Sequence, residues 1–136
     1  MIVNPDYIHM GEIAPAANPN VWEVGKVNYP YTASASAEFR STLGIFVAFG
    51  SNQTIIFTLP LKKFTKLTIN AVGTTSDIQY SVQVFNDAST VKTSPVIKFS
   101  PVDFVYNIPA AYRKDDVRIM LKVVKGTTQF NSMIMS

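Results

Sequence analysis

The sequence predicts an all-β fold: an antiparallel β-sandwich, jelly-roll-like, with an extended N-terminal arm. Three observations carry this expectation. Apolar and polar residues alternate with a period of two over several separate stretches. Gly, Pro, Asn and Asp punctuate those stretches at short intervals. No segment shows the apolar spacing of an amphipathic helix. With 136 residues, the chain is read as an arm over residues 1–20 and a single domain over residues 21–136. A second core would leave each part near the size at which burial scarcely offsets chain entropy.

The arm carries Pro5, Pro15 and Pro19 among Asn4, Asn18 and Asn20. Each proline removes a backbone donor and biases its predecessor towards extended backbone. Such a segment reads either as a loose leader or, the preferred reading, as an arm that docks on a neighbouring subunit. Residues 21–27 alternate weakly and read as an edge strand, which Tyr29-Pro30-Tyr31 breaks. Residues 34–39 read as loop or strand, because Ser and Thr compete with helical hydrogen bonding. Residues 43–49 are apolar on both faces, which implies a strand covered on both sides.

Gly50-Ser51-Asn52 is a turn signal. Residues 54–59 follow, with Ile55, Phe57 and Leu59 inward, and Pro60 ends them. Residues 66–72 repeat the pattern with Leu67, Ile69 and Ala71 inward. Residues 78–86 give the clearest alternation: Ile78, Tyr80, Val82 and Val84 on one face, Gln79, Ser81 and Gln83 on the other. This stretch is expected to be a central scaffold strand. Shorter strands are expected at 95–99 and 102–108, punctuated by Pro101 and Pro109. Residues 117–124 place Val117, Ile119, Leu121 and Val123 inward, with Arg118 and Lys122 in solvent. The last strand, 128–135, is expected to carry Phe130 and Ile134 on one face and Gln129, Asn131 and Met133 on the other.

Three segments in this order resemble the galactose-binding-like, or discoidin-type, jelly roll, over roughly residues 53–135. They are Thr54-Ile55-Ile56-Phe57-Thr58-Leu59 with Phe64-Thr65-Lys66-Leu67-Thr68-Ile69, then Tyr80-Ser81-Val82-Gln83-Val84-Phe85-Asn86-Asp87, then Val117-Arg118-Ile119-Met120-Leu121-Lys122-Val123. The resemblance implies recognition of carbohydrate or lipid head groups through loops at one end of the sandwich, often beside a structural calcium. The chain lacks the cysteine pair with which many members join their termini, and Trp22 lies before the matching region.

Composition narrows the function classes. Hydrophobic residues make up 47% and charged residues 15%, the latter below the roughly 25% usual for soluble chains. The surface must then be neutral and polar, or covered by other subunits. The net charge is +3, but Lys and Arg are dispersed, which argues against nucleic acid as a partner. With no cysteine, disulfides, thiolate metal sites and a cysteine nucleophile are excluded. No apolar run approaches the roughly 18 residues of a membrane span. Asn4, Pro5, Asp6 and His9 interrupt any signal-peptide pattern.

Catalytic chemistry is not expected. His9 is the single histidine, and it has no identifiable carboxylate or imidazole partner for a relay or a metal site. Asp115-Asp116 offer oxygens to a calcium ion, but the ladder of alternating acidic ligands is absent and a turn cap is favoured. The glycines stand singly, without a phosphate loop. No cofactor is expected. What remains is aromatic and basic: Trp22, Tyr29, Tyr31 and Tyr112, with Arg40 and Arg113, are the candidate contacts to glycans or to neighbouring subunits. Tyr29 and Tyr31, in a proline-stiffened loop, are expected to be exposed.

The leading expectation from sequence is a non-enzymatic structural subunit of a larger assembly, a bacteriophage virion component such as a capsid decoration, head-fibre or tail-associated protein. Its partners would be further copies of itself and other virion proteins. The alternative is a carbohydrate-binding module or adhesin domain that binds surface glycans through loop aromatics.

Overall fold

The computed structural model describes residues 7–9, 31–40 and 45–136. Trp22, Tyr29, the expected strand at 21–27 and all of the arm except residues 7–9 lie outside that set. The described strands are β1 (Tyr7–His9), β2 (Tyr31–Ala33), β3 (Ala37–Arg40), β4 (Ile45–Phe49), β5 (Thr54–Leu59), β6 (Lys66–Val72), β7 (Gln79–Val84), β8 (Lys92–Thr93), β9 (Val102–Asn107), β10 (Val117–Lys125) and β11 (Thr127–Met135). Single 3₁₀ turns occupy Ala88–Thr90 and Ala110–Tyr112.

The strands form two antiparallel sheets. The first has the order β3-β4-β11-β6-β9, with β1 also paired to β11; the second has the order β2-β5-β10-β7-β8. The expected sandwich is therefore the observed architecture. Alternation decides which side chains it buries. Ile55, Phe57 and Leu59 of β5, Val117, Ile119, Leu121 and Val123 of β10, and Tyr80, Val82 and Val84 of β7 pack against Leu67, Ile69 and Ala71 of β6 and Phe130 and Met133 of β11. Each large aliphatic or aromatic side chain so buried contributes about 1.5–3 kcal/mol. Edge-to-face contacts tie the two sheets together. The Phe46 ring lies 5.5 Å from Phe57 at 88°, and that of Tyr80 lies 5.0 Å from Phe130 at 83°.

Ile45, Phe46, Val47 and Ala48 are all buried, so β4 is covered on both faces as its apolar run predicts. Residues 7–9 of the expected arm are a strand of their own chain's first sheet, with Tyr7 opposite Ile134 and His9 opposite Ser132.

Other expectations need correction. Residues 78–86 do not supply a central strand: β7 lies between β10 and the two-residue β8, and the centres of the sheets are β10 and β11. Residues 95–99 form no strand beyond the single bridge between Ile78 and Ile97, because Pro95 and Pro101 limit ladder bonding. In β11 the register against β6 shifts between Phe130 and Ser132. The extra residue, Asn131, makes a β-bulge that reverses the alternation beyond it. Met133 and Met135 are therefore buried, while Ile134 turns to the outer face.

Candidate functional site

The four candidate contacts that the structure describes are not brought together. Tyr31 is a core residue, not an exposed platform: it is 5% exposed, and its ring sits 4.9 Å from Phe46 and 6.1 Å from Phe57. Its register opposite Phe57 on β5 turns it into the sandwich. Arg40 is exposed at the end of edge strand β3, where its Nε donates to Glu38 Oε1 at 2.9 Å and its guanidinium lies 5.0 Å from the centre of the Phe49 ring.

Tyr112 and Arg113 belong to the connection between β9 and β10. The Tyr112 hydroxyl donates to Asp87 Oδ2 at 2.5 Å, and Arg113 Nε donates to the Ile108 carbonyl at 3.3 Å. Asp87 Oδ1 also accepts from the Ser89 N–H at 3.0 Å and from the Ser89 hydroxyl. These bonds, the Ser89 hydroxyl first and Tyr112 next, hold the Asp87 carboxyl below the usual carboxylate range, while the bond to Asp87 is the first cause that pushes the Tyr112 phenol up. The cluster ties two connections together at one end of the sandwich. Asn86, which precedes it, takes a left-handed conformation with φ 66°.

At the opposite end lie residues 50–53, 73–78 and 94–101 and the turn at Gly126, as the pairings of Thr127 with Phe49, Gln129 with Val72, Gln79 with Lys125 and Ala71 with Val102 require. There the chain does something that alternation does not dictate. Phe99 is 66% exposed, the most exposed large apolar side chain among the described residues. Its φ is +64°, and the Ser100 N–H donates to the Lys98 carbonyl across it at 2.8 Å. A bond from residue i+2 back to i over a positive φ is the γ-turn of the rare, strained kind. The left-handed backbone costs about 1–3 kcal/mol for a bulky residue, and exposure forgoes the roughly 1.5–3 kcal/mol that burial of the ring would contribute.

The surroundings hold this conformation. The Phe99 N–H donates to the Gly73 carbonyl at 2.8 Å, and Ile78 and Ile97 exchange backbone bonds of 2.8 and 2.9 Å. Ile97 is 3% exposed, so it pins the segment to the core. Ser94, also buried, accepts from the Tyr80 N–H at 3.1 Å and donates to the Pro95 carbonyl at 2.9 Å. Gly73 is itself required: a Cβ there would collide with the Ser76 carbonyl and with Ile78. The result is an aromatic ring on a fixed turn. Lys98 Nζ lies 4.9 Å from its centroid, and the segment to which its N–H is tied carries exposed Thr74, Thr75 and Asp77. Such a site offers an apolar plate with an ammonium group over it, on a segment whose backbone is bonded to one that carries exposed hydroxyl and carboxylate groups.

Sequence reasoning missed Phe99 because Ile97 and Phe99 fit one face of an expected strand. The available signal was the bracketing of that stretch by Pro95 and Pro101. Across the outer face of the first sheet runs a second polar feature. Gln129 Nε2 donates to Asn131 Oδ1 at 2.9 Å, Asn131 Nδ2 to Asn70 Oδ1 at 2.9 Å, and Asn70 Nδ2 to Asp103 Oδ1 at 2.8 Å. Among the described residues, no group of three His, Asp or Glu side chains is placed to hold a metal ion.

No known protein family and no curated protein sequence matches the chain. Solved structures match its fold. A family 6 carbohydrate-binding module superposes with a TM-score of 0.57 at 13% identity, covering 80% of this chain and 88% of that one. BiXyn10A CBM1 gives 0.55 at 11% identity, over 80% and 89%. CBM86, a low-affinity xylan-binding module from the xylanolytic gut symbiont Roseburia intestinalis, gives 0.52 at 10% identity, over 79% and 94%. The likeness spans nearly the whole of each module, and it establishes the jelly-roll sandwich that the sequence resemblance implies.

Proposed function

We propose that this chain is a non-catalytic glycan-binding module that seats a sugar ring on Phe99. The carrying observation is that ring, two-thirds exposed on a left-handed turn. Strain kept at an exposed position is a pointer to function. A pyranose presents one face of C–H groups to an aromatic plate while its equatorial hydroxyls reach polar neighbours. Exposed Thr74, Thr75 and Asp77 supply acceptors and donors, and Lys98 supplies a further donor. The names of the structural neighbours, carbohydrate-binding modules in all three cases, favour this reading over the virion subunit expected from composition.

The test is affinity electrophoresis and calorimetry against soluble polysaccharides, xylan included. Wild-type protein is expected to be retarded by at least one of them. Phe99→Gly removes the ring at a φ that suits glycine, so it is expected to weaken binding tenfold or more while its melting temperature stays within a few degrees. Phe49→Ala, at the edge of the first sheet, is expected to bind as the wild type does. Wild-type affinity in Phe99→Gly would discard the platform, and a wild type that binds nothing in the panel would discard the glycan reading.

A further inference from the structure

The outer edge of β9 is open. The Ile108 N–H donates to the Thr65 carbonyl at 2.8 Å, and β6 pairs with β9 in register from Lys66 opposite Asn107 to Ala71 opposite Val102. The alternation of an antiparallel ladder then points the backbone groups of Val102, Phe104 and Tyr106 at β6, and those of Asp103, Val105 and Asn107 away from it. No strand among the described residues pairs with that edge. Asp103 and Asn107 are exposed, and Val105 is 46% exposed.

The edge is also symmetric. Reading Pro101-Val102-Asp103-Phe104-Val105-Tyr106-Asn107-Ile108-Pro109 from its middle, Val105 has a carboxylate and an amide at equal distances on either side, and a proline beyond each. We propose that β9 pairs antiparallel with β9 of a second copy, on a two-fold axis through Val105. That register sets Val105 against Val105 of the partner, Asp103 against its Asn107, and Phe104 against its Tyr106. It uses all three outward N–H groups. Slipping the centre by one residue sets an outward residue against Pro101 or Pro109, which has no donor. Centring on Asp103 would also appose two carboxylates. Asn70 already binds Asp103 Oδ1, which orients the carboxylate and leaves Oδ2 for the partner's amide.

Sedimentation velocity over a concentration series tests this, with circular dichroism confirming the fold of each variant. The wild type is expected to show a concentration-dependent dimer. Asn107→Asp places a carboxylate opposite Asp103 of the partner, and is expected to raise the dimer dissociation constant at least tenfold. The exchange Asp103→Asn with Asn107→Asp re-creates the carboxylate–amide pair in reverse, and is expected to recover the wild-type constant within a few-fold. Val105→Pro deletes a donor that β6 does not use and is expected to leave a monomer. A wild type that stays monomeric at about 100 µM, or a dimer indifferent to Asn107→Asp, overturns the proposal. So does an exchange variant no tighter than Asn107→Asp, because a two-fold pair must respond to the swap.

Discussion

At the scale of single residues, the side chains richest in chemical promise are the ones the fold consumes. Tyr112 was a candidate contact, yet its hydroxyl is committed to Asp87, and Tyr31 was another, yet it fills the core. The Asp87–Tyr112 pair has a measurable consequence at both ends of the pH scale. The folded-state pKa of Asp87 lies below its ordinary value, the Ser89 hydroxyl being the first cause. Its contribution to stability is therefore complete above about pH 4 and is lost as pH falls through the depressed value. Tyr112 is raised, Asp87 being the cause. Its contribution is complete below about pH 10 and is lost as pH rises through the raised value. Melting temperatures across the pH range should show Asp87→Asn flattening the acid limb and Tyr112→Phe the alkaline one. Limbs with unchanged slopes would mean that the pair is not formed in solution.

Among the elements, β11 is the most informative, because one residue decides which half of it is core. The bulge at Asn131 buries Met133 and leaves Ile134 half-buried on the outer face. Met133→Ala is expected to cost about 2–5 kcal/mol, and Ile134→Ala under about 1 kcal/mol. Urea denaturation of the two variants measures the difference. An uninterrupted strand would give the opposite order. The same element marks the limit of what sequence discloses. Strand β5, β6 as far as Ala71 and β10 as far as Val123 were legible face by face, because alternation holds over those residues and each pairs in continuous register with a neighbour. The bulge was not, since Phe130-Asn131-Ser132 has the composition of ordinary strand. Tyr31 was misread because its burial follows from pairing with a strand 26 residues away. Phe99 was missed because its φ is imposed by bonds to Lys98 and Gly73, and phenylalanine itself carries no preference for that region.

For the molecule as a whole, the connectivity matters more than any one contact. Among the described pairings, only β3–β4 and β7–β8 join strands consecutive in the chain. Every other pair of consecutive described strands lies in different sheets: β1 and β2, β2 and β3, β4 and β5, β5 and β6, β6 and β7, β8 and β9, β9 and β10, and β10 and β11. Non-local pairing of this kind places refolding in the millisecond-to-second range, which stopped-flow fluorescence of Trp22 and the tyrosines can time. Removing residues 127–136 is expected to abolish the cooperative thermal transition, since β4, β6 and β1 all pair with β11. The two strands at the sheet centres are also the last to be made. At about 5–20 residues per second, a ribosome spends on the order of ten seconds extruding apolar strands whose partners do not yet exist. The sandwich therefore closes only when residues 117–135 have cleared the exit tunnel, so until then β4, β5, β6 and β7 each leave an edge without its partner.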